Sequence, residues 1–302
     1  MNSVSFILVA DGPRFEDSAT ILVGSMRLAH PEVACINVYC PEQKLLQLSG
    51  FFREAMAVLG ASIVPIIDQP SPWASPYPHG NKLLAASQAR DCDVSVFFDT
   101  DTVLLSPISD SVSKGGTPEP TVFAVPEGVP TWGRHIEDWV PVYRHFGLPV
   151  PDERVRMCRG RRVETLPYFN AGFVGFAEAA TEMGLRFGEL WLETAIEIDQ
   201  ALDIPNKRPW LDQIALPIAV ARSGLKMRVH DETYNYSLYR RREPAGEDVR
   251  LAHYHIPGSF RSEPACLAVY RRVLDLLPDE LSSVLRKRAI PYEMPGRAKN
   301  RV

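Results

Sequence analysis

Along the first hundred residues, short unbroken apolar runs alternate with longer stretches in which apolar positions recur at helical spacing. The runs at 4–9, 34–39, 62–67 and 94–98 predict strands, and the stretches at 18–29, 41–59 and 82–89 predict helices. Strands that are apolar throughout, rather than at alternate positions, are covered on both faces. The pattern therefore predicts an α/β fold, a mostly parallel twisted sheet with helices on either side. Such sheets hold ligands beyond the carboxyl ends of their strands. Two loops are suited to line that cleft, 11–17 after the first strand and 69–80, where Pro70, Pro72, Pro76 and Pro78 exclude regular helix and central strand.

The alternation breaks over 106–165, which carries many prolines, Gly115-Gly116, Trp132, Trp139 and the arginine-rich run 154–162. Only 121–125 reads as a strand there, and the region is expected to be an insertion on the acceptor side of the sheet, its tryptophans as well suited to core packing as to binding. Downstream, the pattern predicts a strand at 173–176, helices at 182–198 and 212–221, and a strand at 226–229. Residues 264–288 read as a helical stretch divided by Pro278. The expected organisation is a main domain over 1–263, with halves 1–105 and 106–263, followed by C-terminal helices and a basic tail over 264–302.

Composition narrows the class. Hydrophobic residues make up 45% and charged residues 23% of 302, an ordinary globular balance. A net charge of −4 supplies no broad basic field, which argues against nucleic acid as a partner. The cysteines Cys35, Cys40, Cys92, Cys158 and Cys266 form no CxxC pair and no zinc spacing, so reduced thiols and a cytoplasmic location are expected. The apolar start at 4–10 is too short for a signal-peptide core, and no run approaches the about 20 apolar residues of a spanning helix.

The chemistry concentrates where the run 94–98 ends in Asp99-Thr100-Asp101. Two carboxylates at the end of a buried strand are costly without a cation or donors. On an extended chain the pair would share a face and grip one hard divalent ion, Mg²⁺ or Mn²⁺. A turn-capping role for Asp-Thr-Asp is the plain alternative.

Several segments, in order, resemble the GT-A-fold glycosyltransferases, specifically the retaining group that includes glycogenin and the lipooligosaccharide galactosyltransferases. Ile7-Leu8-Val9-Ala10-Asp11 and Ala19 to Met26 resemble that family's opening strand and helix, and Lys82-Leu83 with Asp99 to Val103 its lysine and metal motif. Tyr168-Phe169-Asn170-Ala171-Gly172-Phe173 is similar to its FNAG segment, Asp212-Gln213 to its DQ pair, and His255-Ile256-Pro257-Gly258 with Arg261 to its closing HxxG motif and trailing cation. The resemblance implies transfer of a sugar from a nucleotide-diphosphate donor, a UDP-sugar, to a carbohydrate, lipid or protein acceptor, with retention.

By the same resemblance Asp99, Asp101 and His255 hold the metal, with His253 as rival to His255. Lys82 and Arg261 touch phosphate or sugar, and Ala10, Asp11, Phe15, Thr100, Asn170, Gly172 and Gly258 line the donor site. Asp212 and Gln213 carry the catalytic face. The chain departs from the family at Gly12-Pro13-Arg14-Phe15, where an asparagine–tyrosine pair is usual beside the base, and Phe15 is left as the aromatic surface there.

Two other readings stay open at this level. A haloacid-dehalogenase-type phosphatase would use Asp99 as nucleophile and Asp101 as acid/base, and a non-catalytic sugar-nucleotide binder would keep the fold alone. The last eighteen residues carry Arg286, Lys287, Arg288, Arg297, Lys299 and Arg301 against Glu293. That charge suits a weak peripheral membrane contact.

Overall fold

The computed structural model describes residues 3–67, 71–108, 121–241 and 243–289. Part of the 69–80 loop, Gly115-Gly116 and the tail bearing Glu293, Arg297, Lys299 and Arg301 lie outside the described residues.

Seven strands form the central sheet in the order β10-β6-β9-β4-β1-β2-β3. They are β1 (Val4–Val9), β2 (Cys35–Pro41), β3 (Ser62–Ile66), β4 (Val94–Phe98), β6 (Thr121–Pro126), β9 (Phe169–Ala177) and β10 (Lys226–Val229). Parallel pairing joins β4, β1, β2 and β3, and also β6 to β10. The sheet is thus mostly parallel, as the apolar runs predict, but β9 runs antiparallel to both β4 and β6. A strand buried on both faces reads as one apolar run in either direction, so its sense is invisible in the pattern.

One layer of core lies under α1 (Glu16–Ala29) and includes Phe6, Leu22, Phe98 and Val273. The other includes Phe97, Val174, Trp191 and Ile214, covered by α6 (Phe187–Ala201) and α7 (Leu211–Ser223). Trp132 and Trp139 belong to this second core, their rings edge-to-face at 4.9 Å, so packing accounts for both.

Three local departures have physical causes. The helix expected over 41–59 divides into α2 (Glu42–Leu45) and α3 (Gly50–Val58), because Ser49 leaves the helix to cap α3, accepting from Phe52 N. The buried Glu16 fixes that break by accepting from both Ser49 N and Ser49 Oγ at 2.7 Å. A helix α5 (Ile136–His145) forms within the proline-rich region despite Pro141, its Trp139, Val142 and Tyr143 buried on one face. A second, three-stranded sheet, β11 (Tyr236–Ser237), β12 (Leu251–His253) and β5 (Thr102–Leu104), and the pair β7 (Val155–Arg156) and β8 (Glu164–Thr165) come from strands too short to show a period.

Beyond α4 (Asn81–Ser87) and α8 (Pro257–Arg261), the chain closes with α9 (Pro264–Leu276) and α10 (Asp279–Arg288), divided at Pro278 as expected. These return to α1: a Cβ on Gly24 would lie 2.4 Å from Val273, and Arg288 pairs with Glu16 and Asp17. Among the described residues, no helix is long and apolar enough to cross a membrane. All five cysteines are unpaired.

Candidate active site

Asp99, Thr100 and Asp101 do not continue β4 as extended chain. They form the turn into β5, closed by Thr102 N donating to Asp99 O at 3.1 Å, while Thr100 Oγ1 donates to Val9 O at the end of β1. The two carboxylates therefore face different partners, not one shared direction as alternation on a strand would give. The turn chemistry of an Asp-Thr-Asp stretch outweighs extended propensity here.

Asp99 faces Lys82 at the start of α4. The Lys82 Nζ lies 2.9 Å from Asp99 Oδ1, 2.9 Å from Asp212 Oδ2 on the first turn of α7, and donates to Ala171 O at 3.1 Å. Burial would lower the ammonium's pKa, but the two carboxylates outweigh it, so the pKa is raised and Lys82 stays protonated. Lys82 thus ties the DxD turn to the DQ pair. It also lines the donor cleft, where the sequence resemblance gives it the donor's phosphate or sugar.

Asp101 faces two histidines. Antiparallel pairing of β5 with β12 sets His253 opposite Thr102, and Tyr254 N donates to Asp101 O at 3.0 Å, which locks the two segments together. His253 Nε2 then lies 3.2 Å from Asp101 Oδ1, and His255 Nδ1 lies 3.9 Å from Asp101 Oδ2. The imidazoles stack at 3.8 Å, with His255 held at a φ of 56°. Ligand atoms of Asp101, His253 and His255 all fall within 4.8 Å of one another. A carboxylate with two imidazoles is an N,O donor set that suits Mn²⁺ and other first-row divalent ions. Both rival histidines thus join the cluster, and Asp99 stands beside it, bound to Lys82.

The electrostatics fit a site built for a cation. Burial alone would raise the Asp101 carboxyl, but His253 and His255 bring its pKa below the ordinary carboxylate range. Burial would lower His253, but Asp101 and Asp99 raise it. His255 is pushed down to about 3, by burial first and then by His253, which leaves it a neutral imidazole. Behind His253, Nδ1 contacts Asn235 Oδ1 at 3.0 Å, Asn235 Nδ2 donates to Asn170 Oδ1 at 2.8 Å, and Asn170 Nδ2 donates to the buried Glu127 at 2.8 Å. Outer-shell partners of this kind fix a ligating histidine's tautomer and orientation.

A cleft of about 450 Å³ opens over these groups, bounded by Asp11, Arg14, Phe15, His79, Lys82, Asp99, Asp101 and His255. Asp11 pairs with Lys44 at 2.6 Å, and the Arg14 guanidinium lies 4.6 Å over the Phe15 ring. Ala10 is fully buried beneath. Asn170 and Gly172 stand behind Asp99, where Gly172 N donates to Asn170 Oδ1 and Gly172 O accepts from Asp99 N. Gly258 lies apart from this wall, in a neighbouring cleft with Arg240 and Arg241, and Arg261 ends α8 beside it.

Asp212 and Gln213 lie buried at the start of α7, Asp212 against the Lys82 of the cleft wall, and among the described residues Gln213 Oε1 has no hydrogen-bond partner. Tyr77, from the proline-rich loop, directs its hydroxyl to Pro209 O at 2.8 Å and to Asp212 Oδ1 at 3.3 Å. The sequence reading missed Tyr77, Glu127 and Asn235. A tyrosine preset by prolines on both sides was the one available signal.

The chain belongs to the family described as the Rhodobacterales glycosyltransferase domain, whose model matches residues 6–224. It is an enzyme that transfers sugar, and that membership sets aside the phosphatase reading. No curated protein matches the chain. Among solved structures, it is similar to the galactosyltransferase LgtC in complex with donor and acceptor sugar analogs, at 15% identity and a TM-score of 0.57, covering 92% of this chain and 99% of that one. An active-site mutant of LgtC matches at 14% and 0.54, over 91% and 98%. The apo structure of the bifunctional glycosyltransferase WbbM matches at 14% and 0.54, over 95% of this chain and 52% of that one.

Proposed function

We propose that the enzyme moves a sugar from a nucleotide-diphosphate donor, a UDP-sugar, to an acceptor hydroxyl, with a divalent cation bound at Asp101, His253 and His255 beside Asp99. The observation that carries this reading is the convergence of that N,O cluster with Lys82 at the carboxyl ends of β1 and β4, where open α/β sheets bind nucleotides. With two imidazoles the donor set favours Mn²⁺ over Mg²⁺, and such an ion would neutralise the charge that develops on the leaving diphosphate. Asp11 and Phe15 stand at the end of the cleft suited to the base, Phe15 as a stacking surface.

In the transfer, the acceptor oxygen bonds to the anomeric carbon as the bond from that carbon to the diphosphate breaks. The acceptor proton passes to the departing diphosphate, so the products are a glycoside and a nucleoside diphosphate. A front-face course of this kind retains configuration. Asp212, held beside Lys82, is the proposed partner of the sugar hydroxyls. The Gln213 carbonyl supplies a preorganised dipole for positive charge at the anomeric carbon, which accounts for a buried oxygen left unpaired at a cost of about 1–3 kcal/mol.

The primary test is a thermal-shift panel of nucleoside diphosphates with and without Mn²⁺, paired with assay of nucleoside diphosphate release from sugar donors. Metal-dependent stabilisation together with turnover is expected. Turnover without metal-dependent stabilisation would remove the cation from this reading, and no turnover of any nucleotide-diphosphate sugar would remove that donor class. Replacing Gln213→Ala is expected to lower kcat by about a hundredfold with donor KM little changed; an equal fall in binding alone would remove its catalytic role. Asn235→Ala, which unties His253, is expected to weaken Mn²⁺ binding about 10- to 100-fold by calorimetry, and unchanged affinity would show that His253 is oriented by other contacts.

A further inference from the structure

On the far side of the histidines from the donor cleft lies a second opening of about 530 Å³, bounded by Val129, Cys158, Arg159, Gly160, Arg162, Tyr239, Arg240 and Arg241. Among the described residues, four guanidiniums and no carboxylate form its wall. A small space of about 20 Å³ beside it shares Cys158, Arg159 and Arg241 and is bounded also by Glu127, Glu232, Asn170, His253 and His255. His255 also borders the donor cleft.

Structural duties do not account for the charge. Arg162 and Arg241 share the single carboxylate of Glu232. Arg159 and Arg240 make no ion pair among the described residues: Arg159 donates to Tyr239 O at 3.0 Å while its buried Nε is without a partner, and the exposed Arg240 packs 5.0 Å over the Tyr239 ring. Arg159 also requires Gly128, since a Cβ there would fall 2.4 Å from its Nε. Tyr239 stands edge-on to His255 at 6.1 Å, an aromatic surface between the arginines and the metal cluster. Clustered guanidiniums bind oxyanions bidentately, and an aromatic ring packs against the apolar face of a sugar.

We propose that this opening is the acceptor site, and that it takes a glycan bearing a phosphate or carboxylate group, held by Arg159, Arg162, Arg240 and Arg241 with its sugar on Tyr239. The proposal rests on the transferase reading, and it replaces an undefined acceptor with an anionic one. The full chain, saturated with UDP and Mn²⁺ so that the donor cleft is filled, is titrated at low salt with glucose 1-phosphate, glucuronic acid and neutral methyl glucoside, and separately with phosphatidylglycerol vesicles. Both anionic sugars are expected to bind about tenfold tighter than methyl glucoside or better, with the margin shrinking as salt rises.

The double variant Arg162→Ala/Arg240→Ala, changed at two exposed positions and checked by its melting temperature, is expected to lose that margin, and Arg162→Lys/Arg240→Lys to regain part of it. Equal binding of all three sugars, or equal margins in parent and double variant, overturns the proposal. So does binding of the vesicles with neither sugar anion bound, which would assign the arginines to a lipid headgroup. If UDP with Mn²⁺ fails to stabilise the parent, the UDP-and-metal donor reading falls instead, and the same titration without nucleotide still reports whether the opening prefers anions.

Discussion

Asp101→Ala is expected to abolish Mn²⁺-dependent release of nucleoside diphosphate, a fall of at least about a hundredfold, with the fold intact. The carboxylate is the centre of the cluster: it lies 3.2 Å from His253 and 3.9 Å from His255, and no other acid among the described residues completes the same group. Its removal leaves two stacked imidazoles without the anion that raises the pKa of His253, and metal affinity falls with it. The Asp101 side chain is partly exposed, so stability changes little. Asp99→Ala should differ in kind, because it leaves Lys82 with Asp212 alone in a buried place and lowers the melting temperature as well as activity. Equal donor turnover by Asp101→Ala and parent would end the metal reading.

Gly172→Ala is expected to disable the site through a single methyl group. A Cβ on Gly172 would lie 2.7 Å from Asn170 Oδ1, 2.9 Å from Asp99 Oδ2 and 2.9 Å from His253 Cε1. No positive φ is involved at this position, so the effect is one of space alone. The methyl displaces the metal-facing turn, the histidine and the asparagine that orients it, all at once. Overpacking of this kind costs about 1–3 kcal/mol of stability, and a displacement of about 1 Å in a catalytic group costs about a hundredfold in rate. Donor turnover within tenfold of the parent, at a folded melting temperature, would mean that Asp99 and His253 need not be held at this spacing.

How much of this was legible in the chain can be followed residue by residue. The apolar runs located β1 to β4, Pro72 and Pro76 kept the described part of the 69–80 loop from forming a strand or regular helix before Pro78, and the motif order brought forward Asp99, Asp101, Asn170, Gly172, Asp212, Gln213 and His255. Each of these signals is local: a period, a breaker or a short string. Lys82 shows the limit. Its place in a motif was readable, but its bridging of Asp99 and Asp212, 17 and 130 positions away, depends on how α4 and α7 meet over the sheet.

Asp99 and Asp101 show both sides of the division. The sequence by itself determined that two carboxylates end a buried strand in a glycosyltransferase-like chain, because strand burial and residue order are written along the backbone. Only the tertiary structure decided that the two part company, Asp99 to a buried lysine and Asp101 to His253 and His255, and that Tyr77 braces Asp212 while Asn235 and Glu127 stand behind His253. The deciding interactions are pairings between distant segments, above all β5 with β12, two strands three residues long. Strands that short carry no period to read, and their partners are chosen by the packing of everything else.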